Sequence, residues 1–279
     1  MATVRRGPIA ILGVILAATL AALLVISSAG AQAATNGRVR VMHASPDAPA
    51  VDIFVDGQKA VTALAFPNNT GYVSLPAGTR NVKVFVSPSN GTGAAALEAD
   101  LAVAAGVDYT VLAVGRLADS TLALLPLRDN NALPAQGKAH VRLIHASPDA
   151  PAVNVAVAGT STNVFSNVAF KGVGDYTPVA TGTYNLDVKV ASSGQTAKSV
   201  TGLVLGNQGV YTAVAVGLAG AGTLQVVPLV DVAPAPRVPS TGSGAAIGET
   251  GSGWSTLALA LLGVSAVAAA GAVAVRARR

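Results

Sequence analysis

One nonapeptide occurs twice in this chain, letter for letter. Residues 43–51 read His-Ala-Ser-Pro-Asp-Ala-Pro-Ala-Val and recur as residues 145–153, 102 positions downstream. The match continues without a gap over 39–57 and 141–159, where 13 of 19 positions are identical. The chain is therefore a tandem duplication, and its fold must be one that a single unit can adopt twice.

The duplicated unit sets the domain boundaries. The first domain is predicted over 37–129 and the second over 138–231, joined by the short polar linker 130–137. In the middle of the unit the spacing rises to 104, as between Tyr72 and Tyr176, so an insertion of two residues is later undone. Units of this size can bury a core on packing alone, as they must in an exported chain with no cysteine and therefore no disulfide.

Apolar residues alternate with a period of two inside each unit, which is typical of strands with one buried face. The clearest runs are Val82, Val84 and Val86 in the first unit and Leu186, Val188 and Val190 in the second. Residues 51–57 read as a strand that ends in an Asp-Gly turn, and similar runs give seven to eight short strands per unit. The sequence predicts an all-β fold of two tandem antiparallel β-sandwiches, immunoglobulin-like or transthyretin-like, with barrel closure as the alternative.

The N-terminal segment has the pattern of a secretory signal peptide, predicted over 1–33. Arg5 and Arg6 precede an apolar stretch over 9–26, and the small residues Ala31 and Ala33 stand at the −3 and −1 positions of a cleavage before Ala34. Signal peptidase is therefore an expected partner. Retention of this stretch as an uncleaved anchor is the alternative.

The C-terminal segment predicts a transmembrane helix over 254–275, which is 22 residues without a charge. As a helix it would extend about 33 Å at ~1.5 Å per residue, enough to cross a hydrocarbon core of ~30 Å. The arginine-rich tail 276–279 that follows places the C-terminus in the cytoplasm. The two domains are therefore expected on the extracellular side of the membrane or in the cell wall.

The sequence pI of about 9.7 does not indicate a nucleic-acid partner. Of the 18 Lys and Arg residues, five belong to the two end segments, which leaves 13 basic against 13 acidic residues in the remainder. A nucleic-acid binder needs a basic surface that displaces counterions, and the exported part has no net excess of charge.

The segment 232–253 is rich in Pro, Gly, Ser and Thr and is predicted to be a stalk. Its residues Val238, Pro239, Ser240, Thr241 and Gly242 resemble the Leu-Pro-x-Thr-Gly sorting signal of Gram-positive surface proteins, with valine in place of leucine. An apolar span and a short arginine tail follow, as they do in that signal. The resemblance implies cleavage by a sortase between Thr241 and Gly242 and attachment to the cell envelope; the alternative is a permanent single-pass anchor.

The repeated motif contains the residue types of a hydrolytic triad, but its spacing favours a turn. His43 and Ser45 stand two apart at a strand end, and a triad needs side chains that converge from separate elements. Ser-Pro-Asp-Ala-Pro is typical of a turn in which Asp47 accepts backbone hydrogen bonds. His43 shares parity with the apolar residues of its strand, so its ring is expected to close the edge of the core.

A binding surface at the domain tip is the second interpretation of this motif. Its candidate residues are His43, Ser45 and Asp47 in the first unit and His145, Ser147 and Asp149 in the second. One His and one Asp per motif are too few to ligate a metal, and no phosphate loop, dinucleotide fingerprint, calcium loop or paired-carboxylate arrangement is present. We therefore expect no catalytic residues, no metal and no cofactor.

Three motifs together resemble a bacterial extracellular family that is catalogued as domain of unknown function 4397. They are the Val-Arg-x-x-His-Ala-Ser-Pro-Asp-Ala-Pro opening, the Leu-Pro-Ala-Gly-Thr turn and the Tyr-Thr-x-x-Ala-Val-Gly strand. The resemblance covers 38–129 and 140–231 and implies exported β-sandwiches in tandem on surface proteins. It supplies no functional residues, because the family has no assigned activity.

These patterns predict a non-enzymatic cell-surface protein that binds a glycan or a protein ligand. A structural envelope component without a dedicated ligand is the alternative, and an exported hydrolase is a remote third possibility. The expected partners are the signal peptidase, a sortase and the cell envelope, and the unidentified extracellular ligand.

Overall fold

The computed structural model of the chain describes residues 35–235. The predicted signal peptide, the sorting motif and the C-terminal helix lie outside these residues. All the regular elements that are described are strands, and none of this part of the chain forms a helix that could cross a membrane.

Each repeat contains eight strands. In the first repeat they are β1 (Asn36–His43), β2 (Val51–Val55), β3 (Gln58–Leu64), β4 (Val73–Pro76), β5 (Gly78–Val86), β6 (Leu97–Val103), β7 (Asp108–Val114) and β8 (Ala123–Arg128). In the second repeat they are β9 (Lys138–His145), β10 (Val153–Val157), β11 (Asn163–Val168), β12 (Val173–Ala180), β13 (Gly182–Val190), β14 (Thr196–Leu205), β15 (Val210–Val216) and β16 (Gln225–Val232).

The strands of each repeat form two four-stranded sheets. The outer sheet has the order β3-β2-β5-β6 in the first repeat and β11-β10-β13-β14 in the second, and the inner sheet has the order β4-β1-β7-β8 or β12-β9-β15-β16. One apolar cluster fills the space between the two sheets of each repeat, built around Ile53 and Val84 in the first and Val155 and Val188 in the second. The predicted pair of sheets in tandem is therefore confirmed.

The prediction that every sheet is antiparallel is wrong for the inner sheets. Strand β1 runs parallel to β7, and β9 runs parallel to β15. The four outer strands and β4 lie between β1 and β7 in the sequence, so the chain passes twice through the outer sheet before it forms β7 beside β1. Such a long connection permits parallel pairing, which a short hairpin does not.

The hairpin between β2 and β3 turns at Asp56 and Gly57, as the Asp-Gly pair predicts. Their φ angles are 49° and 78°, and a two-residue hairpin turn of type I′ needs positive φ at both positions. Gly159 takes the matching place in the second repeat with a φ of 74°.

The strand directions give each repeat two distinct ends. We call the end at which β1 and β9 finish the tip, and the opposite end the base. The loops at the tip are 44–50, 65–72, 87–96 and 115–122 in the first repeat and 146–152, 169–172, 191–195 and 217–224 in the second. Strand β1 starts at the base and β16 ends there, where the Ala235 amide donates to the carbonyl oxygen of Asn207 at 2.8 Å.

The two repeats join through their inner sheets. Side chains from the halves of the central strands nearest the tip form one apolar cluster shared by both repeats, and Met42 and Ile144 in it are fully buried. These side chains alternate along β1 and β9 with those that fill the sandwich cores. Each inner sheet is therefore apolar on both faces.

Two buried ion pairs accompany the apolar part of this interface. Arg40 of the first repeat donates to Asp231 of the second at 2.7 Å, and Arg142 of the second donates to Asp129 of the first at 2.6 Å. All four side chains are at most 3% exposed. Because burying a charge is costly, each carboxylate needs further donors.

Those donors come from the repeat that carries the carboxylate. Asp129 accepts from the hydroxyls of Thr110 at 2.7 Å and Tyr72 at 2.6 Å. Asp231 accepts in the same way from Thr212 at 2.6 Å and Tyr176 at 2.8 Å. Burial raises the pKa of both tyrosines, so their hydroxyls remain donors. Every buried carboxylate oxygen in this network is thus hydrogen-bonded.

Removal of one arginine from the interface should destabilise the whole protein. Arg40→Met leaves Asp231 buried without a charged partner, and we expect it to lower the free energy of unfolding by about 3–5 kcal/mol. Arg38→Met is the matched control, since Arg38 lies on the same strand as Arg40 and pairs with Asp108 on β7. Its side chain is 53% exposed, so its loss should cost at most about 1 kcal/mol. Denaturant unfolding measures both, and equal losses would contradict this account of the interface.

Candidate binding tip

The repeated motif forms the first tip loop of each domain. The rings of His43 and His145 are at most 1% exposed, and the predicted position of His43 at the edge of the core is confirmed. The Nε2 atoms of the two rings lie 3.0 Å from the carbonyl oxygen of Pro49 and 3.1 Å from that of Pro151. Each ring therefore ties the end of its strand to the far side of the loop.

The aspartate of the motif braces a second tip loop. Asp47 accepts from the backbone amides of Leu117 at 2.8 Å and Ala118 at 3.0 Å. Asp149 accepts from Ala219 at 2.8 Å and Gly220 at 2.9 Å in the same manner. Asp47 thus accepts from backbone amides, but the prediction that these amides lie in the local turn is wrong, because the donors lie 70 and 71 residues away.

The motif does not assemble a catalytic relay. The Ser45 hydroxyl lies 3.2 Å from Asp47 Oδ1, whereas the His43 ring bonds a backbone carbonyl. In the second repeat the Ser147 hydroxyl donates to the Gly217 carbonyl oxygen at 2.7 Å. Ser45 and Ser147 are at most 1% exposed, so an external substrate does not reach either hydroxyl.

Of the candidate tip residues, only the aspartates reach the surface. Asp47 and Asp149 are exposed at the loop apices, while the histidines and serines lie beneath them. Desolvation opposes ionisation of both carboxyl groups, but the amide hydrogen bonds from the neighbouring loop hold their pKa below 3.8. The aspartates are thus ionised and already bonded to the protein, so they define the shape of the tip more than they offer free acceptors.

The repeats differ most clearly in the third tip loop, which spans 87–96 in the first and 191–195 in the second. The longer loop surrounds an open basin of about 540 Å³, whose lining includes Pro88, Ser89, Asn90 and Thr92. Ser89, Asn90 and Thr92 supply small polar groups, the rest of the lining is apolar, and the basin opens to solvent.

Asp52 holds the longer loop in place. This fully buried carboxylate accepts from the Ser89 amide at 2.9 Å and from Lys59 Nζ at 2.8 Å, and also from the Ala63 amide at 2.8 Å. The ammonium group and the two amides hold the pKa of Asp52 far below its usual range. Asn154 occupies the same place in the second repeat and binds only the amide of Asn167, at 2.7 Å. A buried carboxylate at this position therefore occurs only in the repeat that has the longer loop.

Sequence reasoning did not identify Asp52 or Lys59 as part of the tip. The available signal was the change from Asp52 to Asn154 inside an otherwise well-matched block, combined with the unequal length of a loop far downstream. The sorting residues Val238, Pro239, Ser240, Thr241 and Gly242 and the cleavage residues Ala31, Ala33 and Ala34 lie outside the described residues.

No metal centre is assembled in the described part of the chain, where no three His, Cys, Asp or Glu side chains converge. The interior holds small apolar cavities in equivalent places, about 70 Å³ in the first sandwich and about 50 Å³ in the second. They are well below the ~150 Å³ that admits a ligand such as benzene. The cavities therefore belong to the packing of the core.

The fold defines a class of protein in which two β-sandwich repeats share an interface and gather their loops at one end of each repeat. The chain belongs to the family described as Domain of unknown function (DUF4397), whose model matches residues 37–156 and 140–241. No curated protein matches the chain. The family thus establishes a duplicated β-domain and leaves its ligand open.

Acid should destabilise the protein in a window set by the two buried histidines. Desolvation lowers the pKa of His43 and His145 below the ordinary 6.5, although hydrogen bonds to Pro49 and Pro151 act in the opposite direction. The unfolded chain therefore binds more protons than the folded protein below pH 6.5. The free energy of unfolding should be highest above that pH and should decrease as the pH drops below it.

Denaturant unfolding between about pH 7.5 and about pH 5 measures this slope. The double variant His43→Gln and His145→Gln should flatten the slope, whatever its effect on stability at neutral pH. The aspartates of the same loops have a pKa below 3.8, so they change the free energy of unfolding only at lower pH and do not contribute to this slope. An unchanged slope in the double variant would contradict the assignment.

Proposed function

We propose that this protein is an exported, non-enzymatic binding protein that is anchored to the cell envelope through its C-terminus and presents the tips of its two repeats outwards. The observation that carries the proposal is the polarity of the strands. The described chain enters at the base of the first repeat and leaves at the base of the second, while four loops of each repeat lie at the opposite end.

This polarity suits attachment through the stalk. Segment 232–253 continues directly from the end of β16, at the base. A tether at that end leaves the loops of the tip free of the chain that connects them to the envelope. Extended Pro-rich and flexible Gly/Ser-rich sequence in the stalk would add reach.

The ligand surface is best assigned to the loops that the motif supports. Loops are the usual carriers of recognition when a rigid scaffold positions them. Here Asp47 and Asp149, which occur in both copies of the motif, accept hydrogen bonds from loops 115–122 and 217–224. Asp52 accepts a hydrogen bond from loop 87–96. The basin beside that loop offers neutral polar groups, which suit hydrogen bonding to a glycan or to a polar protein segment.

Spacing is the second candidate function, and the interface between the repeats favours it. A shared apolar cluster and two buried ion pairs join the repeats, so the linker is not their only connection. A joined pair of sandwiches is a suitable spacer even without a ligand. The two functions differ in whether the tip loops matter.

A loop exchange separates them. In the exchanged variant, the shorter sequence of 191–195 replaces residues 87–96 of the full-length protein. The replacement removes the basin, and the same short loop already connects the equivalent strands in the second repeat. Binding to a glycan array and to intact cells should fall at least about tenfold, a loss of about 1.4 kcal/mol.

Asp56→Ala is the matched control at the base, because the second repeat has Ala158 at this position. It should bind like the unchanged protein. Absence of any glycan or cell signal in the unchanged protein, or equal loss in both variants, would leave spacing as the function.

The anchor is tested separately, on purified cell wall and membrane fractions. Under the proposal that a sortase uses 238–242, mass spectrometry should find a C-terminal peptide that ends at Thr241 and carries an envelope fragment. Thr241→Ala should abolish that peptide, with Ser240→Ala as the control. Recovery of intact residues through Arg279 in the membrane fraction, with no truncated peptide, would instead establish a permanent membrane anchor.

A further inference from the structure

The interface between the repeats joins equivalent surfaces. Exchange of the repeat labels converts the Arg40–Asp231 pair into the Arg142–Asp129 pair, since Arg40 corresponds to Arg142 and Asp129 to Asp231. The two distances, 2.7 and 2.6 Å, are nearly equal. This is the isologous arrangement of a two-fold dimer, in which the same patch serves both partners.

The supporting contacts obey the same symmetry. Each arginine also donates to a threonine of its own repeat, Arg40 to Thr110 at 2.8 Å and Arg142 to Thr212 at 3.0 Å. Each guanidinium carbon lies 4.6 Å from the ring centroid of its own tyrosine, Tyr72 or Tyr176. Every repeat thus carries one positioned donor and one positioned acceptor, and neither finds its charged partner within that repeat.

Most of the apolar cluster at the interface is matched between the repeats. The equivalent pairs are Met42 and Ile144, Ala44 and Ala146, Leu112 and Val214, Val114 and Val216, Leu125 and Val227, and Leu127 and Leu229. Phe66, Ala123 and Val173 also contact the cluster, and their counterparts do not belong to it. The alanine, Val114/Val216 and Leu127/Leu229 pairs are identical, the Leu/Val pairs differ by one methylene, and Met42 and Ile144 have the same number of side-chain heavy atoms. Cores tolerate exchanges of this size. A repeat could therefore face a second copy of itself with nearly the same packing that it has with its neighbour.

We propose that this face is a homotypic recognition surface, through which each repeat can bind the same repeat of a second copy of this chain. In that pairing Arg40 donates to Asp129 of the second copy and Asp129 accepts from its Arg40, while Arg142 and Asp231 pair likewise. Within one chain the neighbouring repeat occupies the face. Pairing of each repeat with the same repeat of a second chain keeps every buried charge partnered and yields a dimer.

Charge reversal on the second repeat tests the proposal in the full-length protein. In the double variant R142D/D231R, the two ion pairs within the chain become like-charge contacts, which are strongly unfavourable when buried. Pairing of each repeat with its own kind in a second copy restores opposite charges at all four contacts. We expect light scattering to show a dimer for the variant and a monomer for the unchanged protein.

The quadruple variant R40D/D129R/R142D/D231R is the matched control. It restores opposite charges within the chain and should return the protein to the monomer. Circular dichroism shows whether each variant has the native strand content. A double variant that is folded and stays monomeric would overturn the proposal.

A second measurement covers the case in which the reversed charges prevent folding. The unchanged protein, refolded from denaturant at high concentration, should yield a separable dimer with the native circular dichroism spectrum, and refolding at low concentration should yield only monomer. Monomer alone at every concentration, together with an unfolded double variant, would also overturn the proposal.

Discussion

The two buried ion pairs between the repeats are the constraint on which the rest of the molecule depends. Each repeat has a buried arginine and a buried aspartate whose oppositely charged partners lie across the interface. A buried charge without its partner costs several kcal/mol, so the inner face of a lone repeat is incomplete. The interface therefore determines that the two sandwiches form one body and that the inner sheets are covered on both faces.

The repeated motif acquires a different meaning within this body. Its histidine, serine and aspartate form hydrogen bonds within the protein. These bonds fix the end of β1 or β9 relative to the loop that follows β7 or β15. The motif is identical in both copies and forms the same hydrogen bonds in each. Differences between the copies, such as Asp52 against Asn154, fall where a loop differs in length, and these positions are better indicators of specialised function.

Much of the fold could be predicted from the sequence because it depends on local patterns. A period of two located the strands, and the Asp-Gly pair located a hairpin. The parallel pairing of β1 with β7 could not be predicted, since it depends on a connection through the whole outer sheet. Arg40 alternates with apolar residues, and this pattern is also typical of a side chain that faces solvent. The local sequence therefore could not predict that Arg40 is buried against Asp231. Asp47 likewise finds its amides 70 residues away.

The position of β16 has a mechanical consequence. Within the described residues this strand pairs only with β15 and runs from tip to base, and the segment predicted to be a stalk follows it in the sequence. A force between a tether at the base and an object held at the tip would act along the strand axis. Its ladder of hydrogen bonds to β15 would then bear the load together in shear, and not one after another as in peeling. The geometry suits a protein that must hold its fold under tension without a disulfide.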